Sequence, residues 1–197
     1  MNLPIQRLSY YKIGQIANEF LKKYHSNFFL PIPIEEIVEQ KLKIKITQEM
    51  SLKKDYDVEG FLISDFSTIF VDFNMYLKHE NRTRFTIAHE VGHLILHRDI
   101  FKKLNINSVE KLNDFSIKLT DEQYGWLEYQ AYSFASHVLV PKDLLIKELK
   151  KRIGKIPSME RPEVLAPIIQ DLPDVFNVSD AVMLRRLQKE EIIKSNS

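Results

Sequence analysis

Along KIGQIANEFLKKYH the apolar residues Ile13, Ile16, Ala17, Phe20 and Leu21 recur at three- and four-residue intervals, which predicts an amphipathic helix over residues 9–25. The prolines of LPIPIEEIVEQKLKIKI interrupt that rhythm; a second short helix is expected near 34–41, after which KIKIT alternates like a strand. GFLISDFSTIFVDFN carries two β-rich runs about a polar turn at Asp65–Ser67, the pattern of a hairpin. RTRFTIAHEVGHLILHRD returns to helical spacing, and residues 98–119 are polar and irregular, with room for at most one short helix. Thr120 and Gln123 stand as T-x-x-Q, a capping box that opens a helix running to Val140, where Pro141 stops it. A short helix near 142–152, a proline-containing loop and helices near 163–171 and 179–192 complete the chain. No repeat is evident. Helices, a small and mostly antiparallel sheet, then helices again define an α+β class.

With 197 residues the chain makes about one ordinary domain plus a small appendage. A formal net charge of +1 supplies no global field toward nucleic acid or anionic lipid. No run of ~18 apolar residues spans a bilayer, and the opening residues lack the apolar core of a secretory signal, so a cytoplasmic location is expected. The absence of cysteine has more consequence. Disulfides, thiol nucleophiles and thiolate metal ligands are excluded, and any metal must be held by His, Asp or Glu.

That restriction directs attention to RFTIAHEVGHLILH, residues 84–97. Residues four apart share a helix face, so His89 and His93 can present their imidazoles to one ion. Glu90 leans over the same side, within reach of a water but badly placed to be a ligand. This is the H-E-x-x-H arrangement, in which two neutral imidazoles bind Zn²⁺ and the glutamate is general base. Ile87, Ala88, Val91, Leu94 and Ile95 cover the opposite side, making a buried helix whose polar stripe costs stability unless it has a task. Manganese is an alternative for imidazole and carboxylate ligands.

A catalytic site needs a third protein ligand and one open position. His97 lies about 12 Å along the axis from His89, too far for one ion to bind all three histidines on a continuous helix. A bend at glycine toward a third histidine is not encoded either, since position 99 is Asp99. In WLEYQAYSFASHVLVP, Glu128 shares a face with Ala131, Tyr132 and Ala135, an unusual place for a carboxylate without a positive partner. The two alanines allow close approach of the His helix, and Glu128 then completes a His₂Glu set. His137 is a further candidate ligand.

R-x-R-F-T-I-A-H-E-x-G-H-L-x-L-H followed by E-x-Q-A-x-x-F-A-x-x-x-x-x-P resembles the ImmA/IrrE family of metallopeptidases. The likeness extends to the opening helix with LPIPIEEIVEQKLKIKI, the GFL hairpin and FNVSDAVMLRRL near the end, and so covers nearly the whole chain. It implies a minimal zincin-like fold with His89 and His93 as ligands, Glu90 as base and Glu128 as third ligand. A peptidase domain over 1–152 is expected, with 153–197 a helical extension packed on it or docking a partner. The resemblance also implies a cytoplasmic protein that cleaves a partner, a helix-turn-helix repressor, to release genes for stress response or element transfer. One position departs. Four residues after the ligand glutamate the family usually has Asn or Asp, which can orient an imidazole; this chain has Tyr132.

His97 is a candidate for the surroundings of the site or for a helix-end histidine. Arg82 and Arg84 are candidates for substrate carboxylates, with surface or structural pairing as the blander reading. STIFVDF is a candidate edge for an added substrate strand. Tyr129, Tyr132, His97 and His137 are equal candidates for oxyanion donor. Near the C-terminus, Arg185, Arg186 and Lys189 suggest DNA contact, but Asp180, Glu190 and Glu191 dilute the charge. Val182, Leu184 and Leu187 read as packing, so direct nucleic-acid binding is not expected. Three function classes follow: a zinc-dependent endopeptidase, a metal-stabilised binding module that sequesters its partner without cleaving it, and, third in order, a DNA-binding regulator using the C-terminal helices.

Overall fold

The Ser9 side chain accepts the Lys12 amide (3.2 Å) and starts helix α1, Tyr10–Tyr24, which buries Ile13, Ala17, Phe20 and Leu21. A computed structural model gives the architecture for residues 5–155 and 157–194; the expected domain limits at 1–4 and 195–197 lie outside the described residues. The expected second helix is present as α2, Ile34–Glu36, which widens into a π turn over Ile37–Lys41.

Strand β1 (Lys45–Glu49) is followed by α3 (Leu52–Tyr56), β2 (Gly60–Leu62) and β3 (Thr68–Asp72). The hairpin turn forms as its residues suggest, with Asp65 Oδ1 accepting the Ser67 amide (2.8 Å). The sheet is mixed, in the order β1-β3-β2, which corrects the expectation of a mostly antiparallel one. The α3 segment carries the chain to the far edge, so the hairpin returns β3 between its neighbours, antiparallel to β2 and parallel to β1. STIFVDF is therefore the central strand, and β1 and β2 are the edges. Asp72 ends β3 and at once caps α4 (Phe73–Lys78) by accepting the Met75 amide (3.0 Å).

Helix α5, Glu80–Leu96, carries the H-E-x-x-H residues. Residues 98–119, expected to hold at most one short helix, hold two: α6 (Arg98–Leu104) and α7 (Val109–Ser116). Their polar surface hides an apolar stripe, for Phe101, Val109 and Phe115 are buried in a small cluster with Leu52, Phe61 and Leu127. The Thr120–Gln123 capping box closes reciprocally, both bonds at 3.2 Å, and opens α8, Asp121–Leu139. Helices α9 (Lys142–Ile153), α10 (Pro162–Ile169), α11 (Leu172–Phe176) and α12 (Asp180–Lys189) follow. The main core joins α1, α5, α8 and the strands to Leu165, Phe176, Val182 and Leu187 of the last helices. Leu184, expected to pack, is exposed. None of the described helices is long and apolar enough to cross a membrane. The fold is α+β and zincin-like.

Candidate metal centre

Two helices build the site. Ile87, Ala88 and Val91 anchor α5 with no exposure, which turns His89, Glu90 and His93 toward α8 and the sheet. The helices touch at small residues: a Cβ on Gly92 would lie 3.0 Å from both Cα and the carbonyl oxygen of Ala131. That approach sets Glu128 against both histidines. Nε2 of His89 and Nε2 of His93 are 3.1 Å apart, His89 Nε2 is 3.2 Å from Glu128 Oε2, and His93 Nε2 is 3.4 Å from Glu128 Oε1.

These separations fit an ion. Ligand arms of ~2.0–2.1 Å at the tetrahedral angle place donor atoms about 3.3–3.4 Å apart. His89, His93 and Glu128 form a group that could hold a metal ion. Burial alone would lower the His89 pKa, but the Glu128 carboxylate outweighs it and the net direction is up. Burial would likewise raise Glu128, yet the two imidazoles hold it far below the usual carboxylate range. The His89 imidazole and the Glu128 carboxylate thus stabilise one another's charged forms across the site.

Glu90 is buried beside them. The Leu62 amide, on the free side of β2, donates to its Oε2 at 3.0 Å. Burial pushes the Glu90 carboxyl upward against the lowering influence of His93 and His89. Nδ1 of His93 and Nδ1 of His97 lie 3.1 Å apart, so one proton shared there fixes the tautomer and leaves His93 Nε2 free. His97 is buried, with its pKa brought down to about 3 by burial and by His93, so it is neutral at ordinary pH and can accept.

All four residues of the centre line or floor a cleft of about 800 Å³. Tyr132 lies on its wall, but the hydrogen-bond partner of its hydroxyl is Arg185 (3.2 Å) rather than an imidazole. Tyr124, which the sequence reading missed, lines the cleft one turn before Glu128; burial, with Glu128 and Glu90 nearby, pushes its phenol up to about 12. The i, i+4 spacing from Glu128 could have found it. Tyr129 and His137 do not line the cleft; His137 sits against Tyr10 and Gly14 on the other side of α8. Arg84 is buried and structural, donating to Glu35 (2.9 Å) and to the Ile32 carbonyl. Arg82 lines the cleft paired with Glu59.

An H-E-x-x-H helix apposed to a glutamate-bearing helix beneath a small sheet defines a zincin-like fold with a candidate metal site. The profile of the IrrE N-terminal-like domain, a peptidase family, matches residues 39–188, and the chain belongs to that family. The solved structure of a Mycobacterium tuberculosis transcriptional regulator is similar in fold, with a TM-score of 0.56 at 16% identity. That match covers 90% of this chain and 46% of the regulator, so the chain spans less than half the regulator's length. No curated protein matches the chain.

Proposed function

We propose that this protein is a zinc-dependent endopeptidase that hydrolyses a peptide bond in a partner protein. The observation that carries the reading is the convergence of His89, His93 and Glu128 within one ion's reach beside a buried Glu90, in an open cleft. Bound zinc supplies Lewis-acid chemistry, activating water and polarising the scissile carbonyl. Glu90 performs the proton work: Leu62 fixes Oε2, which leaves Oε1 to take the proton of the attacking water and pass it to the leaving amine. Burial raises its pKa, the direction that makes it a better proton acceptor. His97 steadies His93. Glu90 occupies the Leu62 amide, the Val58 amide donates to the Leu52 carbonyl and the Glu59 carbonyl accepts from Asp72, so the cleft-lining backbone at Gly60 is where an extended substrate can add to β2.

The substrate class proposed is a helix-turn-helix repressor whose cleavage relieves repression. Family membership supports a peptidase role, and the structural neighbour named as a transcriptional regulator supports a regulatory setting. The competing reading, a metal-stabilised module that sequesters its partner, calls for a closed four-ligand site. The three-residue group found among the described residues favours hydrolysis over it. Cleavage of a proteome-derived peptide library, read by mass spectrometry beside metal content, tests the proposal. Glu90→Gln is expected to keep one equivalent of zinc while cleavage falls by about 10²–10⁴-fold. Undiminished cleavage in that variant removes the general-base assignment, and a zinc-loaded wild type that cuts nothing removes the peptidase reading.

A further inference from the structure

The charges along the cleft are unevenly compensated. Lys53 pairs with Asp57 (2.7 Å) and Glu59 (3.3 Å), and Arg82 donates through Nε to Glu59 (3.0 Å), so two cations meet two carboxylates. Arg185, from α12, also lines the cleft, exposed beside Tyr132 and with no carboxylate partner among the described residues. Its Nη1 donates to the Tyr132 hydroxyl (3.2 Å), and its guanidinium carbon lies 5.5 Å from the centre of the Tyr132 ring. Tyr132 is itself braced by Phe85, ring centres 4.8 Å apart. The cation is therefore held by an aromatic wall, not neutralised by an anion, and most of its five N–H donors remain unassigned.

We infer that Arg185, held by Tyr132, forms a substrate subsite that binds a carboxylate of the cleaved segment. A planar guanidinium fixed over an aromatic face suits bidentate carboxylate recognition better than any other group lining this cleft. Tyr132 lies four residues beyond Glu128 on α8, about 6 Å along the helix. An extended chain advances about 3.3 Å per residue, so the carboxylate falls within about three residues of the scissile bond. Two sources share this chemistry. An Asp or Glu side chain keeps the enzyme an endopeptidase, whereas the chain's own terminal carboxylate makes it cut near C-termini.

The inference rests on the peptidase reading, and its test separates the two. Zinc-loaded wild type, Arg185→Gln and Arg185→Glu are each given the peptide library in free-acid and C-terminally amidated forms. In parallel, zinc-loaded Glu90→Gln, with and without Arg185→Glu, is immobilised and the retained library peptides are sequenced. Asp and Glu are expected to be enriched severalfold at one fixed position in wild type. Arg185→Gln should lose the enrichment and Arg185→Glu should replace it with Lys and Arg. Persistence after amidation assigns the side chain; loss on amidation assigns the terminal carboxylate. If wild type cuts nothing, the peptidase reading fails while the retained peptides still decide the subsite. Cleavage or retention without carboxylate enrichment, an unchanged profile in Arg185→Glu, or no retention at all overturns the inference.

Discussion

His97 shows how much a single residue can contribute without touching an ion. Its ring is buried, and its one polar contact among the described residues is the Nδ1 of His93 at 3.1 Å. Phenylalanine at this position keeps the ring volume but removes the acceptor that holds the His93 tautomer. His97→Phe is therefore expected to fold normally and to weaken zinc binding by about 10–100-fold, measured by competition with a chromogenic chelator. Equal affinity in the two proteins would assign His97 to packing alone. The same scale shows why parts of the site could be read from sequence. The nearness of His89 and His93 was legible because helical periodicity fixes their relation, and Glu128 stood out because a carboxylate on an alanine face is unusual without a positive partner. Arg185 was not. It reaches Tyr132 across 53 residues of sequence, and no local spacing encodes that meeting.

Between α5 and α8 the separation is set by Gly92 and Ala131, and the ligand geometry depends on it. A Cβ at Gly92 would meet backbone, not a side chain that can turn aside, so a helix must shift by a few tenths of an ångström. Overpacking of this kind costs about 1–3 kcal/mol, and alanine returns about 1 kcal/mol of helix propensity. Gly92→Ala should thus change the unfolding midpoint modestly while lowering zinc affinity clearly, since His89 and His93 move relative to Glu128. Wild-type affinity in a normally folded variant would show that the interface yields without disturbing the ligands. Long elements with a cap and a clear period, α1 and α8 above all, were legible almost to the residue. The short ones were not. In α4 the β-like run VDFN conceals a helix that Asp72 starts from the last position of a strand, and in α7 a polar surface masks Val109 and Phe115. Sheet order was likewise hidden, because it follows from where α3 delivers the chain.

Across the whole molecule, the first helix, the glutamate helix and the last helix meet at Arg186, which is fully buried. It donates to the Val140 carbonyl (3.0 Å), to Glu190 (2.7 Å) and to the Tyr10 hydroxyl, 176 residues away in sequence. His137 completes the cluster, its Nε2 3.5 Å from Arg186 Nη1. Burial, and then the Arg186 charge, bring the His137 pKa down to about 3, against about 6.5 in an unfolded chain. Below pH 6.5 the unfolded state therefore binds a proton that the folded state refuses, and stability falls as pH drops toward 3. Stability from this residue is complete above pH 6.5. Between pH 6.5 and 5 a single such group removes up to about 2 kcal/mol. His137→Gln keeps an acceptor for Arg186 and cannot titrate. Urea midpoints at pH 7.5 and 5.0 should therefore drop further for wild type than for His137→Gln, whatever offset the substitution adds at neutral pH. Since His137 is remote from the metal ligands, zinc content should not differ between the two proteins across this range. Parallel pH dependences would mean that His137 accepts its proton in the folded state, and that other groups, buried His97 and the carboxylates among them, account for acid sensitivity.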